Sequence, residues 1–114
     1  MLKYAQDMAL MDEWLDGARL DLDLELEYVY DEFGLQSAEA VFQKVFETID
    51  SLCHFPHLGK RFCNMIFHQQ EVRMISMKQT SIIYCQRGDT LLVIAIWNNR
   101  RDEKTLKDVI KSRQ

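Results

Sequence analysis

The sequence predicts an α+β fold, in which an N-terminal antiparallel helical hairpin packs on a small antiparallel β-sheet and a short C-terminal helix follows. Three observations support this prediction. Apolar residues recur at helical spacing over most of residues 15–52, a loop marked by Pro56 and Gly59 interrupts the pattern, and short β-type runs joined by tight turns follow. Helices followed by consecutive strands, rather than alternating with them, are typical of the α+β class.

Residues 15–33 are ambiguous between strand and helix on periodicity alone. Leucines alternate with acids from Leu20 to Glu27, which favours a strand, but apolar residues also recur every three or four positions from Leu15 to Phe33. A strand would place four carboxylates on one face, where like charges repel, and would far exceed the usual length of about 5–6 residues. We therefore predict a helix that ends at Gly34.

The second helix is predicted to begin with Ser37 as its N-cap and Glu39 in its first turn, and to end at about Leu52. The short link over residues 34–36 implies that the two helices are antiparallel. The apolar face of the second helix comprises Ala38, Val41, Val45, Ile49 and Leu52, widened by Phe42, Phe46 and Cys53.

Three strands are predicted after the loop. Residues 71–77 have the pattern of a half-buried strand, residues 81–85 are predicted as a second strand, and Gly88 lies in the turn that follows. The unbroken apolar run from Leu91 to Trp97 is typical of a central strand that is buried on both faces. Because the strands are consecutive and the turns short, we expect an antiparallel meander.

Two further elements are predicted at the ends of the chain. Residues 11–14 can form a first edge strand, although its two acids are poor strand formers, and residues 103–111 can form the last short helix. The whole of residues 1–114 is expected to be one domain, with residues 1–9 as an extension.

The charge balance does not favour a typical nucleic-acid binder. The chain has a net charge of −4 and a sequence pI near 5.3, whereas phosphate binding calls for a basic surplus. Bases slightly outnumber acids over residues 100–113. A basic patch on an acidic body is therefore compatible with the composition.

The cysteine and histidine spacing predicts no metal site and no cofactor. Three scattered cysteines suit reduced thiols in a cytoplasmic protein, and the three histidines are irregularly spaced around the loop. The sequence begins without a signal-like segment and contains no apolar run of the roughly 18–20 residues that span a membrane. We therefore expect a cytoplasmic protein with no membrane partner.

Five short motifs occur in a characteristic order over roughly residues 12–106. They are Ala18-Arg19-Leu20-Asp21-Leu22 after Trp14, Pro56-His57-Leu58-Gly59-Lys60-Arg61, Val72-Arg73, Ile83-Tyr84, and Ile96-Trp97-Asn98-Asn99-Arg100-Arg101-Asp102. Together they resemble the RelE/ParE superfamily, the bacterial toxins of type II toxin–antitoxin (plasmid stabilisation) systems. The resemblance implies a toxin that a cognate antitoxin neutralises by wrapping around it.

The resemblance implies one of two mechanisms of growth arrest. RelE-like members cut messenger RNA on the ribosome without a metal, whereas ParE-like members inhibit DNA gyrase. Nuclease members carry an Arg three positions before the strand Tyr and a catalytic Tyr near the C-terminal end. This chain has Ser81 and Leu106 at those positions, and Asn98 where other relatives have His. The ParE-like, non-enzymatic reading is therefore preferred and no catalytic residue is assigned.

The target-binding candidates that the resemblance implies are Arg73, Trp97, Arg100 and Arg101, with Lys60 and Arg61 as loop candidates. Each has a structural alternative. Arg100 and Arg101 can be a solvated strand end, Arg73 can pair with an acid of the first helix, and Trp97 can be a core or rim aromatic.

Three functions thus remain open from the sequence. The first is a gyrase inhibitor, the second is a ribosome-dependent endoribonuclease with the ribosome and messenger RNA as partners, and the third is a non-toxic relative that binds its antitoxin and represses its own operon.

Overall fold

The computed structural model describes residues 9–114, so the predicted extension over residues 1–9 lies, apart from Ala9, outside the described residues. Helices and strands follow one another in the order β1 (Met11–Trp14), α1 (Asp16–Phe33), α2 (Leu35–His54), β2 (Lys60–Phe67), β3 (Gln70–Ser76), β4 (Thr80–Arg87), β5 (Thr90–Asn98) and α3 (Glu103–Ser112). No helix in this part of the chain is long and apolar enough to cross a membrane.

The helical hairpin forms as predicted, with its turn at Gly34. This residue has a φ of 93°, which favours glycine, and its N–H donates to the carbonyl of Tyr30 to end α1. The predicted N-cap at Ser37 is wrong, because α2 already begins at Leu35 and Gly34 occupies the cap position. A glycine with positive φ can end one helix and begin the next, so no additional linker is needed.

The sheet has five strands in the order β1-β5-β4-β3-β2. Strands β2 to β5 are antiparallel neighbours, as the predicted meander requires. The edge strand β1 also forms, but it pairs with β5 in parallel, with Met11 opposite Thr90 and Trp14 opposite Val93. The sheet is therefore mixed rather than wholly antiparallel. A parallel pair needs a long crossover, and residues 15–89 supply it.

Strand β2 was missed because its backbone is irregular. Its register on β3 shifts between Arg61 and Ile66, and Cys63 and Asn64 have φ values of 50° and 54°. The bulge breaks the alternation of apolar and polar residues from which a strand is predicted. Lys60 and Arg61, predicted in a loop, are instead the first two residues of this strand.

Two apolar clusters lie on the two faces of the sheet, one against the helical hairpin and one against α3. Strand β5 contributes to both, with Val93 in the first cluster and Ile94 in the second, which confirms the predicted central strand. The predicted core face of α2 is too wide, however. Phe42 and Phe46 are 51% and 39% exposed.

Candidate functional site

Arg100 and Arg101 lie in the turn between β5 and α3, and each guanidinium rests on an aromatic ring. The central carbon of Arg100 is 4.4 Å from the centroid of the Tyr28 ring, and Arg100 also donates to the Tyr28 hydroxyl. The central carbon of Arg101 is 4.1 Å from the centroid of the Trp97 ring. Such cation–π contacts restrict a long side chain while leaving its charge available to a partner.

A polar network beneath Arg100 holds this turn against α1. The side-chain oxygen of Asn98 accepts hydrogen bonds from the Arg100 backbone N–H (2.9 Å) and from its Nε (3.2 Å). The amide nitrogen of Asn98 donates to Glu25 at 3.1 Å, and the Thr80 hydroxyl donates to the same carboxylate at 3.3 Å. The sequence analysis did not identify Tyr28 and Glu25, because they contact residues that are about 70 positions away in the chain. No local sequence pattern predicts such a contact.

Trp97 serves as a support rather than as a free contact residue. Only 4% of its surface is exposed, and its ring packs in the cluster against α3. Trp97 is therefore a core or rim aromatic, which is the structural alternative predicted for it. Its ring supports the guanidinium of Arg101.

A second group of predicted residues lies away from Arg100 and Arg101, near the loop before β2. It comprises Arg73, Arg61 and Lys60. Arg73 donates from Nη1 to the carbonyl of Gly59 at 2.7 Å, and its Nη2 lies 3.5 Å from the carboxylate of Glu71. The Nε of Arg61 is 3.5 Å from the same carboxylate. Arg73 therefore pairs with a neighbour on its own strand and not with an acid of the first helix.

Gly59 is surrounded so closely that no larger residue fits. A Cβ there would stand 2.6 Å from the Tyr84 hydroxyl and 2.9 Å from the Met74 carbonyl. The hydroxyl of Tyr84 accepts from the Gly59 N–H at 3.0 Å and donates to the Pro56 carbonyl at 2.7 Å. Burial raises the pKa of Tyr84 above its usual value. The Pro-x-x-Gly motif and the strand Tyr thus act together to fasten the loop.

The structure does not bring all of the predicted target-binding residues together. Arg73 lies opposite Tyr84 on β4, whereas Trp97 lies opposite Ser81, three residues or about 10 Å farther along that strand. Tyr84 belongs to the cluster under the helical hairpin and Trp97 to the cluster under α3. Arg100 and Arg101 do share one shallow cavity, of about 230 Å³.

The two positions at which the nuclease members carry catalytic side chains are buried. Ser81 is fully buried, with its hydroxyl 2.8 Å from the Ser76 hydroxyl and donating to the Asn99 side chain at 2.6 Å. Leu106 is 1% exposed in the cluster under α3. Neither side chain has access to a bound substrate.

Within residues 9–114, no three His, Cys, Asp or Glu side chains are grouped in a way that could hold a metal ion. Burial raises the pKa of both Cys53 and Cys85 to about 11, so these thiols stay protonated at neutral pH. The carboxylates of Asp12 and Asp50 raise the pKa of Cys53 further. Cys63 is exposed.

Comparison with known proteins places the chain in a family. Residues 13–103 match the model of the family described as the ParE toxin of the type II toxin–antitoxin system, parDE. A chain of the solved structure of the chromosomal ParDE TA system from P. aeruginosa has a similar fold, with a TM-score of 0.65 and 17% identity over 80% of this chain and 97% of that one. No curated protein matches in sequence. On the family match over residues 13–103, this chain belongs to the ParE toxin family of type II toxin–antitoxin systems.

Proposed function

We propose that this chain arrests growth in the cytoplasm by binding and inhibiting DNA gyrase, without catalysing a reaction, and that a cognate antitoxin neutralises it. The family match and the likeness to a chain of a ParDE system support a toxin with an antitoxin partner. The burial of Ser81 and Leu106 is the observation that carries the choice of mechanism.

Metal-free RNA cleavage requires a group that activates the 2′-hydroxyl and a group that protonates the leaving oxygen. A leucine has no proton to give, and the Ser81 hydroxyl is already engaged by Ser76 and Asn99. Arg73, which could hold a phosphate, is engaged by the Gly59 carbonyl and by Glu71. Leu106 thus lacks the chemistry for cleavage, Ser81 lacks the access, and Arg73 is already engaged.

Arg100 and Arg101 are the residues that we propose contact the target. Both are exposed, both are held on aromatic rings, and they lie side by side. Arg and aromatic residues are enriched among those that dominate the energy of protein interfaces. These two ordered cations lie at one corner of a chain that is otherwise acidic in net charge. They can therefore pair with an acidic patch on a protein target.

The test is to express the chain from a tightly controlled promoter and to follow DNA synthesis and protein synthesis separately over the first minutes. We expect DNA synthesis to fall first, together with a DNA-damage response. Purified chain should also inhibit supercoiling by gyrase. Arg100→Ala and Arg101→Ala should weaken both effects, whereas Arg87→Ala, an exposed arginine at the end of β4, should not.

Two results would contradict the proposal. An early loss of protein synthesis with cut messenger RNA would favour the ribosome-dependent endoribonuclease. Continued growth at confirmed expression would favour a relative that only binds its antitoxin and regulates its operon.

A further inference from the structure

The side chain of Asn98 lies between Glu25 of α1 and Arg100 of the turn that follows β5. Its nitrogen donates to both oxygens of the Glu25 carboxylate, at 3.1 Å and 3.3 Å. Its oxygen accepts the backbone N–H of Arg100 at 2.9 Å and the Nε–H of the same residue at 3.2 Å. The backbone carbonyl of Asn98 accepts the N–H of Arg101 at 2.9 Å. Asn98 therefore holds the turn that carries both cations, and its amide is engaged at both ends.

The Asn98 amide can bridge these two groups in one direction only. An amide nitrogen donates and an amide oxygen accepts, whereas an ionised carboxylate only accepts and a guanidinium only donates. With the amide reversed, its nitrogen would face the two N–H groups of Arg100 and its oxygen would face the carboxylate of Glu25. Donors would then oppose donors, and acceptors would oppose acceptors. The carboxylate of Glu25 therefore keeps the Asn98 oxygen turned towards Arg100.

The Glu25 carboxylate is itself held in place by the sheet. The hydroxyl of Thr80, a residue that is only 5% exposed, donates to it at 3.3 Å. Thr80 lies opposite Asn98 in the pairing of β4 with β5, so a hydroxyl and an amide donor stand side by side before the same carboxylate. Glu25 is half-buried, and hydrogen bonds are stronger where water is partly excluded. The two strands thus present a fixed pair of donors to the acid of α1.

These contacts select one orientation of the Arg100 guanidinium. Its Nε–H donates to Asn98, its Nη1 donates to the hydroxyl of Tyr28, and its central carbon lies 4.4 Å from the centroid of the Tyr28 ring. The Nη2 group takes no part in these contacts and can donate to a partner. A free arginine side chain samples many rotamers, and ordering it on binding costs free energy. An arginine that is ordered beforehand avoids most of that cost.

We propose that Glu25 is a positioning residue for Arg100: it orients the Asn98 amide, and the amide oxygen in turn holds the guanidinium over the Tyr28 ring. The inference rests on the proposed function where it concerns the target, because an ordered Arg100 then binds gyrase more tightly.

The sign of the effect separates positioning from simple charge. Glu25 lines one cavity with Arg100 and Arg101. By charge alone, an acid at this place weakens the binding of an acidic target, so its removal would improve binding. If Glu25 positions Arg100, loss of its hydrogen-bond acceptor weakens binding instead. The two roles therefore predict opposite results when the carboxylate is replaced.

The test compares two uncharged side chains of similar length at position 25 of the full chain. Glu25→Gln keeps an oxygen that accepts from Asn98, whereas Glu25→Met removes the acceptor. The first readout is the nuclear magnetic resonance signal of the Arg100 Nε–H in the chain alone. We expect its exchange with solvent to be about fivefold faster in Glu25→Met, since one hydrogen bond of the network is lost. Glu25→Gln should restore most of the protection.

The second readout is the concentration of chain that half-inhibits supercoiling by gyrase, measured where circular dichroism shows every variant to be folded. We expect Glu25→Met to raise this concentration by about three- to tenfold, and Glu25→Gln to restore most of the inhibition. The matched control is Glu27→Met, at an exposed acid of the same helix, which should stay within about twofold of the unchanged chain. In a chain that carries Asn98→Ala, Glu25→Met should add no further loss, because Glu25 acts through Asn98.

Two results would overturn the inference while the proposed function stands. One is equal exchange of the Arg100 Nε–H in Glu25→Gln and Glu25→Met. The other is stronger inhibition of gyrase by Glu25→Met than by the unchanged chain, as charge alone predicts. If the unchanged chain does not inhibit gyrase, the proposed function is contradicted, and the exchange comparison by itself decides whether Glu25 positions Arg100. Glu25→Ala, which also lacks the acceptor and favours the helix, replaces Glu25→Met if the latter does not fold.

Discussion

Asp21 and Arg113 form a two-point ion pair that joins the first helix to the last residues of the chain. Their oxygen and nitrogen atoms are 2.7 Å and 2.9 Å apart, and the side chains are only 17% and 20% exposed. Arg113 also donates to the carbonyl of Ile94 at 2.8 Å, and Asp21 accepts the N–H of Ile96 at 3.1 Å. The pair therefore fastens α1, β5 and the end of α3 at one point.

Removal of one member of this pair should destabilise the chain strongly. We expect Asp21→Ala to lower the free energy of unfolding by about 2–4 kcal/mol, because it leaves a largely buried guanidinium and a backbone N–H without their acceptor. Urea denaturation followed by circular dichroism measures this change. The control is Asp23→Ala, an exposed acid of the same helix, which should cost less than about 0.5 kcal/mol. Equal stability of the two variants would contradict the role of the pair.

The hydrogen bonds of the Tyr84 hydroxyl should stabilise the loop before β2. Tyr84→Phe leaves the Gly59 N–H and the Pro56 carbonyl without this partner. We therefore expect a loss of about 1–3 kcal/mol in the free energy of unfolding, with faster proteolysis in residues 55–60. Tyr30→Phe, at a tyrosine that is 55% exposed, is the comparison. If both phenylalanine variants unfold at the same denaturant concentration, the hydrogen bonds contribute nothing.

The buried thiols should make stability fall at alkaline pH. The pKa of both Cys53 and Cys85 is raised from 9.0 to about 11 by burial. The unfolded chain therefore loses these protons at lower pH than the folded chain, so this contribution is complete below pH 9 and is lost as pH rises towards 11. Urea titrations at pH 8 and pH 10.5 under reducing conditions should show a smaller loss for Cys53→Ala/Cys85→Ala than for the unchanged chain. Equal losses would mean that the two thiols titrate normally.

Tyr28 should act on the target through Arg100, as a positioning residue. Loss of a cation–π contact worth about 0.5–1 kcal/mol corresponds to a change of about two- to fivefold. We therefore expect Tyr28→Ala to raise by about that factor the concentration of chain that half-inhibits gyrase supercoiling. Tyr28→Phe keeps the ring and should retain most of the inhibition. The two variants would inhibit equally if the ring had no part in holding the guanidinium.

The elements that were predicted correctly depend on local chemistry. Three features could each be recognised from a few neighbouring residues. They are the helical period of residues 15–33, the glycine at position 34 and the apolar run from Leu91 to Trp97. Strand β2 and the parallel pairing of β1 could not be predicted from neighbouring residues. The first is interrupted by residues with positive φ, and the second depends on where a strand 75 or more residues away comes to lie.

The sequence by itself determined the class of the fold, the family and the list of candidate cations, because periodicity, turn residues and motif order are properties of short segments. Only the tertiary structure decided which candidates lie close together. In the folded chain, Arg100 and Arg101 pack on aromatic rings, and Arg73 donates to the loop before β2. Ser81 and Leu106 are buried, whereas Phe42 and Phe46 are exposed. The physical reason is that burial and side-chain pairing arise from contacts between distant segments, and no local pattern encodes those contacts.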